Sequence, residues 1–517
     1  MLNSPQRLAV RILGLLVRRV AWCAPEKRVA HVLQTESETR VATTEAPTDR
    51  GYGARLVAIE PGGAEYIPLA ERHGSPRQLL FTFLAPNMEF ATVGVGILGP
   101  LVLGLSFWQT FWAIILGVLL GAGTTGVLAA WGPGHGLPQM VISRSAFGFL
   151  GNAVPAALNT VLAGVGWFAV NAVSGALALH VLAPSIALPL CLAIVVVIEV
   201  GVAFLGHNLV QALNRYAGWV LAVIFIAASI WVLFGVEPGA PSDPIPGAFT
   251  IQAAAVFGFA AGWNTFASDY SRYFPPTTPR SRIGAYASAG IALGCIPLMV
   301  AGAAVITAGQ SVFDPSAFTN VLPWWFGHLT LVAVLGGSVA ANAMNLYSGS
   351  ISFTALGLKL PTRRARAFTS LALGALGAAV SFWALKDAAA SYTNFLLIIA
   401  YTIGPWLGVV FTDRLLRRGR DFQALLTNPR YVNWAGVIAY LIAAVGSVVL
   451  FANQHLYTGL VVQQLPGLGD LTVLVGFLLA AGLYYVLVRV LRPALSTDDF
   501  LQASLTSTAK PGTEEIA

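Results

Sequence analysis

The feature that most constrains this chain is a recurrence of apolar runs. Each is about 20 residues long, the length a helix needs to cross the hydrocarbon core of a bilayer. Twelve such runs fall near 80–104, 107–131, 155–179, 184–204, 213–236, 249–268, 285–308, 325–348, 367–386, 390–412, 433–452 and 468–490. They lack the alternation of a barrel strand and are about twice its length. A helix satisfies its own backbone N–H and C=O groups in lipid, so the expected architecture is an all-α membrane protein. Charged residues make up 10% of the chain, against roughly a quarter in soluble domains.

The net charge of +7 would suit a nucleic-acid binder if the basic residues formed a patch, but they collect in alternate loops. Arg272, Arg280 and Arg282 share one loop, Lys359, Arg363, Arg364 and Arg366 the next, and Arg414, Arg417, Arg418, Arg420 and Arg430 a third. This bias predicts both termini in the cytoplasm, with the chain in the plasma (inner) membrane. Residues 1–78 read as a cytoplasmic, partly disordered tail, with arginines breaking its short apolar runs. Residues 79–492 read as one transmembrane domain, and 493–517 as a polar, disordered cytoplasmic tail. Cys23, Cys191 and Cys295 are scattered without metal or disulfide spacing.

A carboxylate, Glu89, interrupts the first run, in Ala85-Pro-Asn-Met-Glu. A charge at bilayer depth costs roughly 2.5–3.5 kcal/mol on insertion scales and marks a pathway or a binding site by default. Pro86, three residues earlier, predicts a broken helix. The sixth run has its own polar interruption, Gly262-Trp-Asn-Thr. Paired breaks in corresponding helices point to two inverted repeats with a site between them, the construction of a transporter. An ion channel is the alternative from another class, and would conduct without saturating. No enzyme motif is present: Gly94-Val-Gly-Ile-Leu-Gly lies inside a membrane run with no preceding strand. Gly117 and Gly121 read as close helix packing.

Other candidates gather in the same runs. Trp167 and Asn171 are four apart on one helix face, and an indole beside a carboxamide suits a planar heterocycle; the alternative is that Trp167 packs between helices while Asn171 bonds across them. Trp263, at the sixth-run break, would complete a ring sandwich if it too is a site residue rather than packing. Asn342 and Asn345 either face the cavity or bond between helices. Asp269 and Arg272 form either a helix-end ion pair or a gate. Arg144 shares that ambiguity, and Glu199, late in the fourth run, is expected to reach the cytoplasmic interface, with a buried pairing the alternative.

Taken in order, Gly136-Leu-Pro-Gln-Met-Val-Ile-Ser-Arg-Ser-Ala-Phe-Gly, Trp167 with Asn171, Gly262-Trp through Asp269-Tyr-Ser-Arg-Tyr, and Asn342-Ala-Met-Asn-Leu-Tyr-Ser resemble the nucleobase–cation symporter family, in its purine–cytosine permease branch. The resemblance spans nearly all of residues 60–490. It implies a leucine-transporter-like fold of two inverted five-helix repeats plus two C-terminal helices. It also implies alternating access, and import of cytosine or a purine with a coupling cation. Allantoin, a hydantoin or thiamine is the alternative substrate. Carried over residue by residue, it puts Glu89, Trp167, Asn171, Trp263 and Asn342 or Asn345 on the substrate. No cofactor, metal, nucleic acid or obligate protein partner is implied.

One departure concerns the coupling ion. Sodium-coupled relatives use first-helix carbonyls, here those of Ala85 and Met88, with hydroxyls of the eighth helix. The stretch Val339-Ala-Ala carries no hydroxyl, and Ser338 is the nearest one. Glu89 can carry a proton instead, because desolvation penalises its charged form. The expected coupling ion is therefore H+, with Na+ the alternative.

Overall fold

The computed structural model describes residues 65–204, 207–237, 239, 242–354, 356 and 363–508. The basic tail expected over 1–78 lies outside the described residues up to position 64, as do Lys359 and residues 509–517.

Helices stand at every expected position. The first span is Arg77–Leu84 with Phe90–Leu103; the second is Phe107–Ala129; the third is Ala153–Val161 with Phe168–Leu182. The fourth and fifth are Leu188–Phe204 and His207–Gly235, and the sixth is Ala248–Ala261 with Ala267–Ser271. The seventh to ninth are Arg280–Thr307, Trp324–Thr354 and Arg363–Ala384. Ala388–Leu416, Trp434–Phe451 and Thr472–Leu491 complete the set. Among the described residues, eight helices are by themselves long and apolar enough to cross a membrane, and the bent first span makes nine. The fourth and ninth spans are shorter apolar helices, and the sixth is interrupted.

Spans 1, 2, 6 and 7 pack into one bundle, and spans 3, 4, 8 and 9 into another. Span 5 bridges them through spans 1, 7 and 8, span 10 packs on span 6, and spans 11 and 12 pair beside span 10. Each bundle thus draws two neighbours from the first five spans and their counterparts from the second five, as inverted repeats would arrange them. Small residues allow the close contacts: a Cβ at Gly117 would come within 2.7 Å of the Val256 side chain, and one at Gly121 within 2.7 Å of the Ala260 Cβ. This is the packing of spans 2 and 6 that the sequence implied.

The C-terminal segment departs from expectation. Residues Thr497–Thr508 form a helix rather than a disordered tail. Its start is held by the Thr497 N–H donating to the Asp421 carbonyl at 2.8 Å and by Asp499 facing Arg420 at 3.4 Å. Composition missed this because the ordering contacts come from the loop after span 10. At the other end, Arg72 donates to the Ile67 carbonyl (2.9 Å) and the Pro133 carbonyl (2.6 Å), holding the chain before span 1 against the loop after span 2.

Candidate functional site

The first-span break follows from Pro86. A short 3-10 turn, Ala85–Asn87, replaces the helix; Glu89 is fully extended (φ −151°, ψ 169°) and the helix resumes at Phe90. The two halves meet at 61°. The Thr92 hydroxyl takes up the Asn87 carbonyl at 2.6 Å, so one backbone acceptor released by the break is satisfied within the chain, as buried backbone groups require. Glu89 is 2% exposed and makes no capping bond to its own helix.

The sixth span breaks at the same level, into the 3-10 turn Gly262–Phe266. The Trp263 indole N–H donates to Asn87 Oδ1 at 3.3 Å, tying the two breaks together. Asn264 is taken up by Thr124 and Thr125 of span 2, accepting from the Thr125 hydroxyl at 2.6 Å, and so serves packing. In the third span a π-helical turn, Leu162–Trp167, ends at the tryptophan; such turns are frequent at functional sites. Edge-to-face contacts with Phe259 and Phe395, each at 5.2 Å, fix the Trp167 indole. A Cβ on Gly262 would press within 3.1 Å of that ring.

These elements line a small cavity with Glu89, Trp167, Asn171, Trp263 and Asn345, five of the six residues expected to meet substrate. Asn87, Phe259 and Phe266 line it as well. None of the three stood out in the sequence, although Asn87 lies inside the quoted break motif.

Asn342, the sixth, sits one layer behind. Its amino group donates to Glu199 Oε2 at 2.7 Å and to the Phe168 carbonyl at 3.0 Å. Glu199 is wholly buried in this contact rather than at the interface, so the buried pairing, the second of its two sequence readings, is the one the structure has. The Asn171 carboxamide lies between Glu89 and the Asn342–Asn345 pair: one of its polar atoms is 2.9 and 3.0 Å from the Glu89 carboxyl oxygens, and the other is 3.1 Å from Asn342 Oδ1 and 3.0 Å from the Asn345 amide nitrogen.

The remaining candidates are spread wider. Ala85 and Met88 are buried at the break, and Gly337 of span 8 lies against Met88: a Cβ there would collide with the Met88 carbonyl oxygen. Ser338 donates to the Leu335 carbonyl at 2.9 Å and packs against Gly175 of span 3, so its hydroxyl is turned from the first-span carbonyls. Asp269 accepts from the Gln139 N–H at 2.9 Å. Arg272 donates to the Glu65 carbonyl (3.3 Å) and the Tyr273 hydroxyl (3.2 Å). Arg144 stacks 4.2 Å from the Phe149 centroid and donates to the Leu426 carbonyl at 3.2 Å. Burial pushes its guanidinium down to about 10, so it remains a cation at neutral pH. All three lie between the span 2–3 loop and its neighbours, away from the cavity.

Helices broken halfway along, facing each other across a shared cavity, are the construction of a carrier, and the chain is a transporter of the leucine-transporter fold. It matches solved structures of Mhp1, a nucleobase-cation-symport-1 family transporter. Against the closed form with bromovinylhydantoin bound, the TM-score is 0.66 at 21% identity, covering 86% of this chain and 98% of that one. Against the inward-facing form the TM-score is 0.67 at 20% identity, covering 89% and 99%. The family model described as permease for cytosine/purines, uracil, thiamine, allantoin matches residues 66–476, and the chain belongs to that family. It is 28% identical over 455 residues to the purine-cytosine permease fcyB of Emericella nidulans, covering 83% of this chain and 88% of that protein. A Bacillus subtilis protein provisionally named purine-cytosine permease YxlA is 29% identical over 452 residues, covering 83% and 96%. The family and its relatives are permeases, not enzymes.

Proposed function

We propose that this chain is a symporter that imports a nucleobase, cytosine or a purine, together with a proton, by alternating access. The observation that carries the reading is the convergence of one carboxyl, two indoles and three carboxamides on a single cavity at the helix breaks. Indole faces attract a flat ring, and carboxamides offer both donors and acceptors to a base edge. The purine-cytosine permease names of the relatives support the same substrate class.

Proton coupling is supported by chemistry at the break. A desolvated sodium ion needs several oxygens, and span 8 offers Gly337 rather than a hydroxyl at the Met88 carbonyl. Glu89 meanwhile is held beside the substrate chamber, where a proton gained with substrate neutralises it before the site opens inward. Trp167 and Trp263 cover the faces of the base, and Asn171, Asn345 and Glu89 meet its edge. Asn342 supports the carboxamides from behind, and Asp269, Arg272 and Arg144 belong to the inner gate region. The membrane is the plasma membrane, with both termini in the cytoplasm.

Binding of cytosine, adenine, hypoxanthine, uracil, allantoin, a hydantoin and thiamine to the purified protein tests the substrate class. The proposal expects the tightest binding from cytosine or a purine. Tighter binding of allantoin, a hydantoin or thiamine would replace it with the related substrate reading.

A further inference from the structure

Beneath the cavity lie three buried polar side chains that substrate recognition does not use: Asn159 of span 3, Thr265 of the sixth-span break and Ser352 of span 8. Asn159 stands eight residues before Trp167, and Ser352 seven residues after Asn345. At 1.5 Å of rise per residue both sit about 10–12 Å from the cavity, toward the basic span 6–7 and span 8–9 loops.

The Asn159 carboxamide joins the other two. The Thr265 hydroxyl donates to its oxygen at 2.5 Å, and its amino group donates to the Ser352 hydroxyl at 2.7 Å. A hydroxyl can donate or accept, so both contacts persist whichever way round the amide stands.

The two contacts differ in what they hold. Asn159 and Ser352 belong to one bundle, in which Ala153–Val161 packs along span 8. A Cβ on Gly349 would come within 3.3 Å of the Gly164 backbone, so spans 3 and 8 approach almost backbone to backbone. Thr265 belongs to the opposite bundle, and its neighbours are tied to span 2 there. Asn264 accepts from the Thr125 hydroxyl, Ser268 donates to the Leu128 carbonyl at 3.0 Å, and Ser271 donates to the Ala129 carbonyl at 2.7 Å. The lower half of span 6 is thus held to span 2, and of the two Asn159 contacts the one to Thr265 crosses between the bundles. A substrate leaving the cavity toward the basic loops has to pass between them.

We propose that Asn159 and Thr265 form the latch of the inner gate: their bond closes the cytoplasmic side of the cavity, and it breaks when the two bundles part to release substrate. Ser352, fixed in the same bundle, anchors the Asn159 side. The latch rests on the alternating-access reading, to which it adds the contact on the inner side. The net worth of one hydrogen bond shifts the ratio of closed to open forms about 2- to 12-fold, enough to bias a gate without locking it.

The test places a thiol between latch and cavity. Ala163, midway between Asn159 and Trp167 on span 3, is buried, so Ala163→Cys is reached from the cytoplasm only past the latch. With Cys23 replaced by serine, labelling by a membrane-impermeant maleimide is followed on inverted membrane vesicles, against the same protein without the new thiol. Thr265→Val and Asn159→Ala are each expected to raise the labelling rate about 2- to 12-fold. Thr265→Ser, which restores the hydroxyl, is expected to return it to the starting rate, and Ser352→Ala to raise it less than Thr265→Val does. An unchanged rate in both Thr265→Val and Asn159→Ala overturns the latch. So does an equal rise in Ser352→Ala, which would mark a general loosening of span 3. If saturable exchange of labelled cytosine or adenine across proteoliposomes persists in the unmodified protein in either case, alternating access stands and only the latch falls; absence of that exchange removes both.

Discussion

Replacing Trp167 with alanine separates recognition from packing with a magnitude that can be worked out beforehand. The indole is nearly buried and meets Phe259 and Phe395 edge-on, each at 5.2 Å. Two such pairs are worth about 1–3 kcal/mol together, at about 0.5–1.5 kcal/mol each. The vacated volume raises the total cost to roughly 3–5 kcal/mol, as for other large aromatic-to-alanine changes. The substrate loses a stacking face on top of this. A base stacked on an aromatic side chain is worth about 1–3 kcal/mol by alanine substitution, a rise in Kd of roughly 5- to 150-fold at 1.4 kcal/mol per decade. Titration calorimetry with cytosine or a purine on detergent-purified protein reads this directly, and a thermal melt of the same sample reads the stability cost. Trp167→Phe keeps a ring and is expected to recover most of the affinity. An unchanged Kd in Trp167→Ala, alongside a lowered melting temperature, would refute the stacking role and leave the residue to packing alone.

Further outcomes follow from other contacts. Asn171→Ala, which removes the amide between Glu89 and Asn342, should abolish measurable uptake or change base selectivity in a competition assay, because a desolvated edge loses its partner. Asp413→Asn should lower thermal stability by several degrees or prevent purification. Asp413 holds the buried Arg417 guanidinium at 2.8 Å and accepts from the Tyr484 hydroxyl at 2.6 Å, and breaking a buried pair costs about 3–5 kcal/mol. Asn87→Ala should weaken base binding measured by calorimetry without removing a ring, since Trp263 loses the acceptor that ties it to the first-span break.

Much of this was legible in the chain. Pro86 before Glu89 and Gly262 before Trp263 announced the two breaks, because proline and glycine act locally, whatever surrounds them. The four-residue spacing of Trp167 and Asn171 survived because the π turn ends at the tryptophan and leaves the interval between them helical. Inside the membrane domain, what stayed hidden was register between helices distant in sequence. Glu199 was open between the interface and a buried pairing, and its contact with Asn342, 143 residues on, shows it to be interior. Span 8 sets Gly337 on the Met88 carbonyl, while Ser338 turns toward span 3. One helical residue is a rotation of about 100°, which no composition argument can fix. The same holds for Asn342 and Asn345, three apart, of which Asn345 lines the cavity and Asn342 supports it.

The central claim is that a proton on Glu89, rather than sodium, drives the substrate inward. Purified protein in proteoliposomes, loaded with no gradient and then given either an inward pH step or an inward sodium gradient, tests it most directly with labelled cytosine or purine. Accumulation with the pH step alone, lost in Glu89→Gln while exchange of labelled for unlabelled base persists, is the predicted result. Accumulation that requires sodium and ignores the pH step would contradict it.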